Sequence, residues 1–348
     1  MPRIDTRRAK PRAPHVAALV ALAATASLAA PAQAQTTAAL QPRTGALGDY
    51  PSRPIRVLVP FTAGGSSDFT ARTVSERLGP ALGGTVVVEN KPGGNTVIAT
   101  ELVAKSAPDG YTLLAGGATT LASQPHLYKK LPYDVVKDLT PVNNAVVSPL
   151  VLSVHPSMPV KNLQELLAYM KANPGKVNYG SAGVGNTLHL AGELLTNMTG
   201  VKITHVPYKG ASQAITDLLS GNIQMMFDVV QTPLQHIRAG KLRPIATTWD
   251  KRAGVLPEVP TMVEAGLPGY VFGAMIGFYA PAGVPRDILV RLNGEISKIM
   301  AMPEVKEAFA KQAMDPAPFP SPEAHAAAFR KEIDNMGKII REAGIQPE

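Results

Sequence analysis

The chain contains no cysteine. That absence excludes disulfide staples and thiolate metal sites, and it suits an oxidising compartment in which a stray thiol is a liability. Aromatic residues make up 5% of the 348, with one tryptophan, and no clustered Lys/Arg stripe with interleaved aromatics is present. Nucleic-acid binding therefore loses its usual footprint. Long apolar runs are also missing, with one exception near the N-terminus. There "VAALVALAATASLAA" follows the basic residues Arg3, Arg7, Arg8, Lys10 and Arg12, and Ala32, Gln33 and Ala34 supply an A-x-A cleavage pattern. The run is shorter than the ~20 apolar residues that cross a bilayer, so residues 1–34 read as an export signal with a mature start at Gln35. Ala9 and Lys10 stand where a twin-arginine signal would place an apolar pair, which favours the general secretory route. Removing five basic residues and one acid lowers the formal charge from +8 to +4, with 29 basic and 25 acidic residues left. The basicity belongs mostly to the leader.

Several catalytic signatures are absent as well. No Gly-Lys-Ser/Thr follows a glycine-rich turn, and "GSAGVG" lacks G-x-G-x-x-G spacing. The seven histidines form no H-E-x-x-H pair, which argues against a zinc enzyme. Ser181, His189 and Asp228 could suggest a hydrolase triad, but there is no G-x-S-x-G elbow and no spacing that fixes one. Met225, Met226 and Phe227 read as core, and no cofactor or metal is expected.

What is present is an alternating α/β grammar. Residues 35–50 lack periodicity and read as a flexible lead-in. From Ile55, "IRVLVP", "TVVVEN" and "YTLLAGG" read as strands, with helical spacing at Ala71, Val74 and Leu78 and in "ATELVAKSAP". A parallel sheet with helices on its faces follows. "VVSPLVLSVHP" and "KLRPIATTW" bracket a second unit of the same kind. Inside it, Asn162 and Glu165 make a capping-box-like helix start. "KVNYG" and "KITHVPY" read as strands, residues 187–198 and "AITDLLSG" as helices, and "IQMMFD" as an alternating strand. After Trp249 come "GFYAPAGV", a helix carrying Ile288, Leu292, Ile296 and Ile299, and a terminal helix carrying Phe329, Ile333, Met336 and Ile340. The 314 residues beyond the leader exceed what one core usually serves. The expected organisation is a first lobe of residues 51–145 plus 249–348, with residues 146–248 inserted as a second lobe. Two connections make a hinge.

Two glycine turns carry the chemistry. "PFTAGGSSDFTAR" and "YGSAGVGNTLHL" each join a strand pattern to a helix pattern, one in each lobe. Helix N-termini leave backbone N–H groups unpaired and carry partial positive charge, and glycine lets the main chain approach a ligand closely. Facing each other across a cleft, the turns would hold a carboxylate without a buried arginine. A micromolar ligand needs ~8 kcal/mol, while one helix terminus gives ~0.3–1. Several charge-assisted hydrogen bonds in a water-poor cleft must therefore act together.

The ordered segments "PFTAGGSSDFTAR", "VVVENKPGG", "APDGYTLL", "LPYDVVKDLTPV", "YGSAGVGNTLHLAGELL", "HVPYKG", "LLSGNIQMMFD" and "GFYAPAGVP" resemble the Bug-type, or TctC-like, receptors of tripartite tricarboxylate transport. The resemblance implies a periplasmic-binding-protein architecture of type II kind, with two Rossmann-like lobes and a hinge. It also implies a small carboxylate or related solute, bound in the periplasm by a monomer that serves integral-membrane permease subunits; a sensor or chemoreceptor is the alternative partner. As pocket residues it implies Phe61, Thr62, Ala63, Gly64, Gly65, Ser66, Ser67 and Asp68, then Ser181, Ala182, Gly183, Gly185, Asn186 and Thr187, and also His189, Tyr208, Lys209, Gly210 and Asp228, with Thr119 and Thr120 more peripheral. Asp68 and Asp228 each admit a second reading, as a carboxylate in a helix's first turn and as a backbone-bonded group. His189 reads as orienting its turn from behind. The stretch "KPGGNTVIAT" departs from the family's longer glycine-rich pattern.

Overall fold

Arg56 is exposed and its four neighbours in β1 (Ile55–Val59) are buried, the pattern of a strand covered on one face and partly on the other. β1 lies between β2 (Val86–Asn90) and β3 (Thr112–Gly117), parallel to both, and Arg56 reaches across to Glu89 at 2.7 Å. The crossovers are α1 (Ser66–Leu82) and α2 (Val97–Ala104); α3 (Ala118–Leu127) follows β3. This computed structural model describes residues 50–347, so the expected leader and all but the last residue of the lead-in lie outside it.

β4 (Leu139–Val154) then runs through the molecule as a single 16-residue strand. Beyond it come α4 (Leu163–Ala172), β5 (Asn178–Ser181), α5 (Thr187–Thr199), β6 (Thr204–Pro207), α6 (Ala211–Leu219), β7 (Met225–Val229), α7 (Leu234–Arg238) and β8 (Arg243–Thr247). The chain returns through β9 (Gly273–Pro281) and finishes with α8 (Arg286–Ala301), α9 (Pro303–Lys311), β10 (Asp315–Pro316) and α10 (Pro322–Glu342). Asn162 caps α4 by accepting the Glu165 N–H at 2.9 Å, while the Glu165 carboxylate turns back to the Lys161 N–H.

The strand order is β2-β1-β3-β9-β4-β7-β5-β6, with β8 and β10 also on β4. Parallel pairing holds at the two ends, in β2-β1-β3 and in β7-β5-β6. These are the parallel units expected from the alternating grammar, while the middle of the sheet is antiparallel. The cause is topological: β4 carries the chain from the first lobe to the second and β9 carries it back, so the two must run in opposite directions. Residues 139–149 of β4 pair with β9, and Leu150 to Val154 pair with β7 and β8. β7 is buried on both faces along Met225 to Asp228, so the alternation expected for "IQMMFD" does not hold. A strand between β4 and β5 with helices on its faces has no solvated side.

Two large cores lie on opposite faces. In one, Val57 and Val59 pack with Val74 and Leu78 of α1, Leu292 and Ile296 of α8 and Phe309 of α9. The other is continuous through both lobes and joins Leu121 of α3, Phe227, Tyr179, Leu190 of α5 and Phe329 and Met336 of α10. α10 thus lies against both α3 and α5.

Candidate functional site

The first turn is held from behind by a buried carboxylate. Asp68 accepts the Gly64 N–H at 2.9 Å, the Asn90 amide at 2.9 Å and the Arg72 guanidinium at 3.0 Å, while Asn90 also donates to the Phe61 carbonyl. Burial pushes the Asp68 carboxyl up, but Arg72, Gly64 and Asn90 together outweigh it and hold the group below its ordinary value. Gly64 has φ +88, and Gly65 starts α1 with no side-chain cap. The first N–H groups of α1 therefore have no partner within the helix.

The second turn rests on stacked histidines. His189 Nδ1 accepts the Gly185 N–H at 2.9 Å, which leaves the proton on Nε2, 3.4 Å from Glu193. Glu193 also accepts from the Tyr179 hydroxyl at 2.6 Å. The His205 ring stacks on His189 at 3.9 Å, and His205 Nε2 lies 2.6 Å from Ser181 Oγ, which in turn accepts the Gly183 N–H. Burial, and then His189, push His205 down to about 4. Ser181 is fully buried and its imidazole partner is His205, with Asp228 outside the cluster, so the residues of the imagined triad do not assemble. Asn186 caps α5 by accepting the Leu188 N–H at 2.9 Å.

The two turns line one cavity of about 320 Å³. Phe61, Thr62, Gly65, Ser66 and Ser67 come from the first, and Ala182, Asn186 and Thr187 from the second. Thr119 and Thr120 enter from α3, and Asp228 from the end of β7. The starts of α1, α3, α5 and α6 all reach this space, through Ser66, Thr119, Thr187 and Ala211. No lysine or arginine is in the lining. Asp228 Oδ1 accepts the Val229 N–H at 2.8 Å, and Oδ2 has no partner among the described residues. Burial pushes this carboxyl up to about 7, against smaller lowering effects from Val229 and Thr232.

Ala63, Gly64, Asp68, Ser181, Gly183, Gly185, His189, Tyr208, Lys209 and Gly210 stand outside the lining. Asp68, Ser181 and His189 tie the turns from behind. The Tyr208 hydroxyl is 2.6 Å from Asp217, Lys209 is exposed, and Gly210 caps α6. Residues 91–100 do not line the cavity either; there the chain enters α2 through left-handed Asn95 and Thr96, held by Gln124. Sequence reasoning missed Thr232 and the β9 wall of Ala274, Met275 and Ile276. A strand that offers its backbone to a cavity has no motif to read.

A larger cleft, about 630 Å³, lies between α5, α10 and the Trp249 region. Its helical walls come from the last turns of α5 (Leu194, Asn197, Met198) and from the second half of α10, where Lys338 stands between the carboxylates of Glu332 and Glu342. Those ends carry partial negative charge and disfavour an anion. The smaller cavity, where the starts of four helices meet, is the candidate site. Met275 lines both spaces, and Thr119 Oγ1 stands 3.3 Å from Glu332 Oε1.

Residues 70–345 match the family described as "Tripartite tricarboxylate transporter family receptor". The chain is 38% identical over 324 residues to Protein BugT of Bordetella pertussis, covering 93% of this chain and 95% of that one. It resembles R. palustris Rpa4515, solved with adipate, at TM-score 0.77 and 34% identity, over 86% of this chain and all of that one. It also resembles MatC of Rhodopseudomonas palustris, solved with bound malate, at TM-score 0.72 and 31% identity, over 84% of this chain and all of that one.

Proposed function

The chain belongs to the tripartite tricarboxylate transporter receptor family, a family of solute-binding receptors rather than enzymes, and from that premise we propose that it captures a small carboxylate by closing two lobes around the cavity. The exported chain acts in the periplasm and hands its ligand to integral-membrane permease subunits. Ligand contacts come from Phe61, Thr62, Gly65 to Ser67, Thr119, Thr120, Ala182, Asn186, Thr187 and Asp228, with the residues behind both turns fixing their shape. The proposed hinge lies where β4 changes partners between Pro149 and Leu150 and where β9 begins at Gly273, since β9 pairs up to Pro149 and β7 from Leu150. The first lobe then comprises residues 51–149 and 273–347, and the second the residues between. Among the described residues no helix is long and apolar enough to cross a membrane.

One observation carries this reading: two glycine turns from different lobes share a cavity whose lining has no side-chain cation. An anion there depends on backbone N–H groups and hydroxyls from both sides, so it favours the closed form to the extent that it touches both. Thermal melting with succinate, malate and adipate tests it. A ligand at 100 times its Kd stabilises by about 2.7 kcal/mol, which raises Tm by roughly 4 °C for a chain of this size. If no small carboxylate moves the melt at millimolar concentration, the reading fails.

A further inference from the structure

If the glycine turns grip one carboxylate, the other end of the ligand must meet something else, and this inference rests on that reading. Several helix starts bring partial positive charge to the cavity, yet the one ionisable side chain in its lining is an acid. Asp228 lines the cavity and is 3% exposed; its Oδ2 is enclosed and makes no hydrogen bond among the described residues, with the Thr232 side chain close enough to lower the carboxyl slightly. Ionised, it would set a second negative charge against a ligand's far carboxylate in a water-poor space with no cation between them. Protonated, the same carboxyl is a hydrogen-bond donor.

We propose that Asp228 is the proton-bearing contact of the site: a dicarboxylate is bound with Asp228 protonated, its carboxyl O–H donating to an oxygen of the distal carboxylate, so that binding takes up a proton from solution.

Other titratable groups do not take over this role. β4 carries none. Tyr179 on β5 and His189 on α5 are engaged with Glu193, Asp217 on α6 is bonded to Tyr208 and Asn222, and Asp68 on α1 is bonded to Arg72. Desolvation alone raises the Asp228 carboxyl, to about 7, and no neighbouring charge contributes. The neutral form is therefore at hand near neutral pH. Because only that form binds, the apparent Kd rises about tenfold for each pH unit above the titration.

Calorimetry with adipate, which has two carboxylates and no donor group, tests this between about pH 6.5 and 8.5 in buffers of different ionisation enthalpy. The expected result is uptake of up to one proton per site at the alkaline end and an affinity that falls with pH. Asp228→Asn, which donates from an amide at every pH, is expected to show neither the slope nor the uptake. Should the variant fail to fold, a ¹³C carboxyl titration of the wild-type protein with and without adipate reads the same quantity; the Asp228 resonance must move to higher pKa when adipate binds. Adipate binding that is pH-independent and proton-neutral, or a preference for amine-bearing monocarboxylates that strengthens with pH, overturns the inference and leaves the receptor reading intact. If no carboxylate binds at any pH, both fall together.

Discussion

Gly65 and Gly183 each belong to one of the two turns and differ in what they tolerate. Gly65 has φ −81, and a Cβ built on it meets only the Thr62 carbonyl at 3.9 Å. Gly183 has φ +122, where any side chain is strained. Gly65→Val is therefore expected to melt within about 2 °C of the wild type, because nothing in the fold resists it. The branched side chain would enter the cavity where backbone N–H groups point, and the expected loss of carboxylate affinity is about a hundredfold, or ~2.7 kcal/mol. Gly183→Val should cost about 1–3 kcal/mol of stability before any ligand is added. Calorimetric binding and thermal melts on the pair separate the effects, and a Gly65→Val protein that binds normally would remove the first turn from the site. Both glycines were legible in the sequence as turn residues. Their difference was not, since φ is set by how each turn joins its strand.

At the scale of elements, the turn before α5 meets the end of α3 across the cleft. A Cβ on Gly185 would overlap the Leu127 side chain, and Gly185 has φ +70 besides. Gly185→Val is expected to cost roughly 2–4 kcal/mol, combining backbone strain with overpacking. Leu127→Ala opens the space, so the double variant should be more stable than the sum of the single costs by about 1–2 kcal/mol. Denaturant unfolding of the four proteins measures the cycle, and strict additivity would show that the contact does not bear on stability.

That contact exposes what sequence patterns conveyed and what they did not. "IRVLVP" and "YTLLAGG" were legible as short apolar runs closed by proline or glycine, and the helix from Thr187 as a long apolar stretch opened by a polar cap. α3 was not anticipated: "ATTLASQPHL" has Pro125 within it and is buried along most of its length, so no stripe emerges. β4 was read only from Val146, since Pro141 and the two asparagines at 143 and 144 look like a break. They sit instead at irregularities in its pairing with β9, while Asn143 donates to the Asn293 carbonyl. The candidate site divides the same way. Its two turns announce themselves by glycine and hydroxyl residues, whereas Thr232 and the β9 wall enter through strand order, which no local pattern contains.

For the whole molecule, the question is what balances open and closed forms. Beside the cavity, Ser66 Oγ at the start of α1 donates to Gln231 Oε1 at 3.0 Å, and Gln231 Nε2 donates in turn to Gln312 Oε1 after α9. Gln231 follows β7, in the proposed second lobe, while Ser66 at the start of α1 and Gln312 after α9 fall in the proposed first, so one amide would clasp both sides of the junction. Gln231 is not in the cavity lining. Truncating it keeps every residue of the lining, removes bonds that favour closure and frees the Ser66 hydroxyl. Two neutral hydrogen bonds contribute about 1 kcal/mol each, and a ligand that needs the closed form binds more weakly in proportion to the closed fraction lost. Gln231→Ala is accordingly expected to weaken carboxylate binding about 5- to 30-fold, chiefly through faster dissociation. Small-angle scattering should also show a larger ligand-free radius of gyration that returns to the wild-type value at saturation. Weaker binding with no change in the ligand-free radius would mean that Gln231 acts on the ligand and not on closure.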